Sequence, residues 1–185
     1  MRSATYQVNE EEILDKLFGF IVKHGLENIT IREMCKGTGI ALGSIYYWFN
    51  GKDELICEVT EYGLKKVIDS VFDYVYSNVD DLESFFDNCL SEIGKHKDEL
   101  RFIYQMAASP VYGSNVREHS RQCDSMYEKY TDKLAETFDC DANELKPLVY
   151  MFISTVLDYI IWEDDEKSKL QLKFIKGSLK EKLNI

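Results

Sequence analysis

Apolar residues recur at three- and four-residue spacing through most of this chain, which is the period of helices that each bury one face. Ile13, Leu14, Leu17, Phe18 and Ile21 form one stripe, and Leu64, Ile68, Val71, Phe72 and Val75 a second. Val116, Cys123, Met126, Tyr130, Leu134 and Phe138 form a third, and Leu172, Ile175, Leu179 and Leu183 close the chain at 3-4-4 spacing. Only two of the 185 residues are Pro and ten are Gly, and the clustered turn signals that divide short strands are missing. The fold class expected is therefore all-α, with about nine helices.

Capping residues divide the chain. Asn9 and Glu12 open the first helix and Gly25 ends it. Thr30-x-x-Glu33 has the form of a capping box, so a short helix is predicted from Ile31 to about Gly37. Gly39 supplies a tight turn, a third helix covers 42–49, Asn50-Gly51 breaks it, and a fourth begins at Lys52. Two short helices joined by a Gly turn, with a third ahead of them, have the sequence form of a helix-turn-helix over about 30–49. Further helices are expected over 80–95, over 98–109 with Pro110 closing it, from the cap Asn115-x-x-Glu118, over 148–162 and along the last stripe. Residues 6–55 thus read as a head of three helices and 56–185 as a larger helical part.

The net charge of −11 argues against general coating of nucleic acid or anionic membranes. The charge is uneven: residues 1–55 carry six basic groups and eight acids, leaving −9 for the remainder. Arg32, Lys36 and Lys52 against Glu33 make 28–52 locally +2, so any DNA contact must be local. Five dispersed cysteines without a C-x-x-C suit reduced thiols in a cytoplasmic protein. No signal peptide is visible at the polar, acidic start. The longest apolar run, 148–162, is about fifteen residues with Asp158 inside it, short for a bilayer span, so no membrane partner is expected. His24, His96 and His119 are dispersed, and no metal spacing, nucleophile triad or phosphate-cradling loop occurs. No metal, cofactor or catalytic residue is expected, and the chain does not read as an enzyme.

The run Ile31 … Thr38-Gly-Ile … Gly43-Ser-Ile-Tyr-Tyr-Trp-Phe … Lys52-Asp-Glu-Leu resembles the DNA-binding region of TetR/AcrR-type transcriptional regulators, whose usual pattern is A-G-V-S-x-G-x-x-Y-x-Y/H-F-x-x-K-x-x-L. The likeness covers about residues 10–60, and Leu157-Asp158 echoes the Leu-Asp-Gly common in the eighth helix of that family, with Tyr159 in place of Gly. The resemblance implies a DNA-binding dimer on a palindromic double-stranded operator, commonly a repressor released by a small-molecule effector. It implies a phosphate contact at Lys52, which would otherwise be a solvated lysine at the unfavourable end of a helix dipole. Tyr46 and Tyr47 can pack their rings and offer their hydroxyls to phosphate. Ala41, Leu42, Gly43 and Ser44 fall where bases are read: Ala41 and Leu42 suit a thymine methyl, Gly43 allows close approach, and Ser44 suits a base or phosphate. Arg32 either reaches a guanine edge or phosphate or pairs with Glu33, and Thr30 is a cap whose hydroxyl can also meet DNA. Ala41 stands where the family usually has a Ser N-cap, at a local cost of about 0.5–2 kcal/mol. Trp48 replaces the usual Tyr or His.

Beyond the head, Tyr62, Phe85, Phe86, Phe102, Tyr104, Met106, Met126, Tyr127, Tyr130 and Phe152 are candidates either for core or for an aromatic effector pocket. Asp158 is either held by Ser154 or Thr155 one turn back or a polar anchor for a ligand. The nearly all-round apolar helix near 149–161 must be covered on every side. Tyr150, Ile153, Leu157 and Ile161, joined by Leu172, Ile175 and Leu179, are therefore expected to form a four-helix homodimer interface. Helix four, starting at Lys52, is the expected lever between effector and DNA. Two other readings remain open: a ligand-binding or enzymatic helical protein with a relic head, and an effector-independent activator.

Overall fold

The computed structural model describes residues 9–26, 29–78 and 81–183, without the side chains of Phe72, Tyr76 and 119–126. Among the described residues there are nine helices and no strand: α1 (Glu10–His24), α2 (Ile31–Thr38), α3 (Leu42–Trp48), α4 (Lys52–Ser77), α5 (Leu82–Gly94), α6 (Lys97–Ala108), α7 (Gly113–Phe138), α8 (Ala142–Trp162) and α9 (Asp165–Leu183). The all-α class is as expected. Two compact units form, Met1–Lys66 with Phe102–His119, and Val67–Arg101 with Ser120–Ile185. They divide the chain elsewhere than residue 55, because α4, α6 and α7 each run through both.

In the first unit the sequence caps are made as bonds. Asn9 accepts from the Glu12 backbone N–H at 2.7 Å, and Thr30 and Glu33 complete a reciprocal capping box. The expected α1 stripe is buried, with Ile13, Leu17 and Ile21 wholly out of solvent beside Met34, Ile45, Leu55 and Ile56. Phe18 stands edge-on to Phe102, ring centroids 6.0 Å apart. A Cβ on Gly63 would lie 2.0 Å from the Phe18 ring, so α1 and α4 approach closely only because position 63 has no side chain.

In the second unit α8 packs most extensively on α9, and both pack on α5. The α9 stripe Leu172, Ile175, Leu179 and Leu183 is buried within the single chain. The other faces of α9 carry six lysines against three acids, in a chain of net charge −11. Lys176 and Lys180 both grip Glu83 on α5, and Lys182 meets Glu144 on α8 at 2.9 Å. These bonds hold the Glu83 carboxyl below its ordinary range and push Lys176 and Lys182 up.

Two boundaries differ from the sequence expectation. Helix α7 begins at Gly113 rather than at an Asn115 cap. The Ser109 hydroxyl accepts from the N–H groups of Val111 and Tyr112 and turns the chain early, and the Asn115 amide donates to Cys57 Sγ at 3.4 Å. Helix α8 begins six residues before Leu148, capped by Asp141, and carries Pro147 inside it. Burial of Leu145, Leu148 and Val149 on both sides of the proline holds a turn that loses one backbone bond. The longer α8 has the length of a bilayer span and a mean hydropathy of 1.3 over its most apolar window. Its ion pairs to α9 and its packing on α5 and α9 are those of a bundle helix.

Gly63→Ala should destabilise the protein by about 1–3 kcal/mol in urea unfolding, since the buried Phe18 ring, set against Phe102, must move. Glu83 has a lowered pKa in the folded state, so its stabilisation is complete above the ordinary value of 4.5 and lost as pH falls through the folded value. Acid unfolding of Glu83→Gln should therefore show a weaker pH dependence below about pH 4.5 than the parent.

Candidate functional site

The head presents a short helix pinned from beneath. Gly39 takes a left-handed conformation (φ 73°) at the end of α2, and Ile40 is buried just after it. Ile45 on α3 and Phe49, the extended residue that follows it, are 0% and 2% exposed, so they fix the helix to the core. The opposite face points outward, with Tyr46 58%, Tyr47 68% and Trp48 39% exposed. Tyr47 and Trp48 meet edge to face at 5.1 Å. Large aromatic rings left this open form a surface with an apolar body and hydroxyl or indole N–H tips.

Ala41 and Gly43 are exposed, whereas Leu42 and Ser44 are half-buried. Ala41 makes no side-chain cap, so the first N–H groups of α3 are left to solvent. The Thr30 hydroxyl accepts from the Glu33 N–H at 3.3 Å and donates to the Glu33 carboxylate at 2.7 Å, so its bonding is spent on the cap. The Thr30 backbone N–H, then its hydroxyl, hold Glu33 below the usual carboxylate range, and the charge of Lys52 adds to this. Arg32 is exposed and is not paired with Glu33, whose carboxylate is taken by Thr30.

Lys52, half-buried, is the first residue of α4, and two acids in the same turn offset its unfavourable place there. Glu54 accepts from both the backbone N–H and the side-chain amide of Asn50, at 2.7 and 2.8 Å. Asp53 accepts from the Tyr112 hydroxyl at 3.0 Å, and burial, followed by this bond, pushes Tyr112 up to about 12. The pairing ties the α4 start to the turn before α7. It joins residues 59 positions apart, and no local sequence signal announces it.

The effector-pocket candidates do not gather in one place. Phe85, Phe86, Tyr130 and Phe152 line a cavity of about 30 Å³ in the second unit, with Ile175 and Leu179 from α9. The three phenylalanines pack with ring centroids 5.2 to 6.1 Å apart. Phe102 and Met106 are instead core of the first unit, and Tyr62 donates to Asp15 at 3.1 Å there. Tyr104 and Tyr127 are half-buried away from this cavity, and the side chain of Met126 lies outside those described. Asp158 does not line it either. The Ser154 and Thr155 hydroxyls donate to the backbone carbonyls of Tyr150 and Met151, and Asp158 pairs with Lys167 at 2.5 Å. A cavity this size holds a water or two, not a drug-sized molecule.

The interface candidates also divide. Tyr150 and Ile161 on α8 are 52% and 48% exposed, with Ile153 and Leu157 half-buried beside them. Leu172, Ile175 and Leu179 are 4%, 1% and 6% exposed, so their own protomer already covers them and a second subunit cannot. The outward apolar residues of α9 are Leu170 and Phe174, which fall between the turns of the buried stripe.

Two solved structures share this architecture. One is a transcriptional regulator of the TetR/AcrR family from Aquifex aeolicus VF5, with a TM-score of 0.59, 18% identity, and coverage of 93% of this chain and 95% of its own. The other is a candidate transcriptional regulator from Pseudomonas aeruginosa PAO1, with a TM-score of 0.60, 15% identity, and coverage of 93% and 88%. At these identities the likeness establishes the fold. No family sequence model and no curated protein matches the chain.

Thr30→Ala should cost α2 about 1 kcal/mol and speed hydrogen exchange at the Glu33 amide, while Thr30→Ser should restore both. In the Ala variant the Glu33 carboxyl should titrate nearer its ordinary 4.5, read by NMR.

Proposed function

We propose that the protein is a DNA-binding transcriptional regulator of the TetR type, acting in the cytoplasm as a homodimer on a palindromic operator. The observation that carries this reading is the outward face of α3: Tyr46 and Tyr47 stand open on a helix pinned by Ile45 and Phe49, a few residues before Lys52. Solvent gives such a surface no reason to exist, and a phosphate backbone does. Tyr46, Tyr47, Lys52 and Arg32 position the head on the sugar-phosphate chain. Ala41, Leu42, Gly43 and Ser44 face the major groove and set sequence preference. Thr30 acts mainly as the cap that places Arg32. The fold shared with two proteins described as regulators supports this, and nothing in the head suggests catalysis.

Dimerisation would use the outward faces of α8 and α9, with Tyr150, Ile153, Leu157 and Ile161 from α8 and Leu170 and Phe174 from α9. Repression relieved by an effector would require a ligand that binds one spacing of the two heads better than another, with α4 as the connecting helix. The cavity of about 30 Å³ leaves an effector no room unless Phe85, Phe86 and Phe152 move apart, whereas an open groove of about 800 Å³ lies beside Phe86 and Tyr159.

Selection from a random duplex pool should enrich a palindrome. Lys52→Ala should weaken binding to every sequence and reduce the slope of log affinity against log salt by about 1. Leu42→Ala should change which bases are enriched and leave the slope alone. Unchanged binding by both variants to the selected operator would overturn the assignment, and absence of any enriched palindrome would favour the relic-head reading.

A further inference from the structure

The second unit carries an open groove of about 800 Å³ between α5, the end of α8 and α9. Its size is that of a small-molecule site, which the inner aromatic cavity of about 30 Å³ is not. Phe86 and Leu172 are buried at its floor, and Leu90 and Tyr159 stand half-buried along it. Tyr159 follows Tyr150 by about two and a half helical turns, so α8 turns the groove away from the face proposed for dimerisation.

The charge along the groove selects its occupant. Three lysines and two acids line it. Lys176 binds Glu83 and meets Asp87 at 3.4 Å, and Lys169 lies 3.6 Å from Asp165 one turn back. Each acid of the groove thus has its cation. Lys173 stands between these lysines on the same side of α9 and has no ion pair among the described residues. Three ammonium groups at helical spacing repel one another and gain from an anion set among them. Across the groove the Tyr159 hydroxyl stands by Gly94 of α5, 3.5 Å from where a Cβ would be, and it has no hydrogen-bond partner among the described residues. Tyr159 is the residue that replaces Gly after Leu157-Asp158, so this donor is particular to this chain. A cationic ligand would find both acids already paired. A second negative charge on the ligand would face Asp87, Asp165 and Glu83, which also turns away nucleic acid and anionic membrane. One negative charge on an apolar body is what fits.

We propose that this groove binds a small monocarboxylate with an apolar body, and that such an acid is the effector of the regulator proposed above. The carboxylate is held by Lys173, the body lies on Phe86 and Leu90, and the Tyr159 hydroxyl supplies a second donor. The site stands on the chemistry of the groove, and its effector role rests on the regulator reading. Phe86 carries the effect inward. Its ring meets Phe85 at 5.2 Å, and Phe85 stacks on Tyr74 of α4 at 5.7 Å. The Tyr74 hydroxyl also donates to the Phe85 carbonyl at 3.3 Å. An acid that shifts Phe86 therefore bears on α4, the helix that begins at Lys52.

Calorimetric titration and methyl NMR of the full chain test the site with benzoate, 2-naphthoate, octanoate and dodecanoate, each beside its uncharged amide. At least one acid should bind and shift the Leu90 and Leu172 methyl signals, and its amide should bind about tenfold more weakly. Lys173→Glu, a change at an exposed position, should remove this binding, Lys173→Arg should keep it, and Tyr159→Phe should weaken it about threefold. The site is refuted if no acid binds, if the amide binds as well as the acid, or if Lys173→Glu leaves the affinity unchanged. It is equally refuted if the shifts fall on Leu148 and Val149 of the inner cavity instead. The acid that binds should also change affinity for the selected operator in the parent and not in Lys173→Glu. If it binds without changing operator affinity, the effector role falls. If no operator is enriched, the regulator reading falls with that role, while the carboxylate site stands. Far-ultraviolet circular dichroism confirms that each variant retains its helices.

Discussion

The head depends on two side chains at the underside of α3. A helix of seven residues has no stability of its own in water, because nucleation costs more than a few backbone bonds return. Ile45 and Phe49, four residues apart and buried, supply what the backbone cannot. Because that pair is committed inward, the residues between and around it are turned outward. Tyr46 and Tyr47 are exposed as a geometric consequence of where the anchors lie, and their hydroxyls become available to a partner. The missing side-chain cap at Ala41 is tolerable for the same reason: tertiary burial, more than capping, keeps α3 helical.

Electrostatics divide the molecule in a complementary way. The chain is strongly acidic, and its acids are held by hydrogen bonds in the head and by ion pairs in the second unit. In the head, Glu33 accepts from Thr30, Glu54 from Asn50 and Asp53 from Tyr112, neutral donors that fix each carboxylate in place without cancelling its charge. In the second unit Lys176 and Lys180 of α9 pair with Glu83 on α5 and Lys182 with Glu144 on α8, closing the bundle from outside. Lys167 and Asp158 pair between α9 and α8. Net charge therefore says little about either surface, because each is governed by pairing within a few ångströms.

Features that depend on neighbours in sequence were legible without a structure. Asn9, Thr30-x-x-Glu33, Gly39 and the start at Lys52 act within three or four residues, and each appears where expected. The buried stripe of α1 follows equally directly from helical period. Sequence and structure part where the deciding contact is remote. Pro147 looks like a barrier before Leu148, but packing of Leu145 and Val149 carries the helix through it. Asn115 looks like a cap, but its amide is taken by Cys57, 58 residues away. A stripe such as Leu172, Ile175 and Leu179 shows that one face of α9 is buried, not which body buries it.

The sequence by itself thus determined the all-helical class, the order of the helices, and the short turn-bounded α3. All of these follow from local periodicity and capping. Tertiary structure alone decided that the aromatic residues of the second unit nearly fill their own cavity and that the α9 stripe serves its own core. It also decided that Asp158 answers to Lys167. Helical period marks an apolar face but carries no record of what lies against it, and a hydrogen bond between distant residues exists only after the chain has folded.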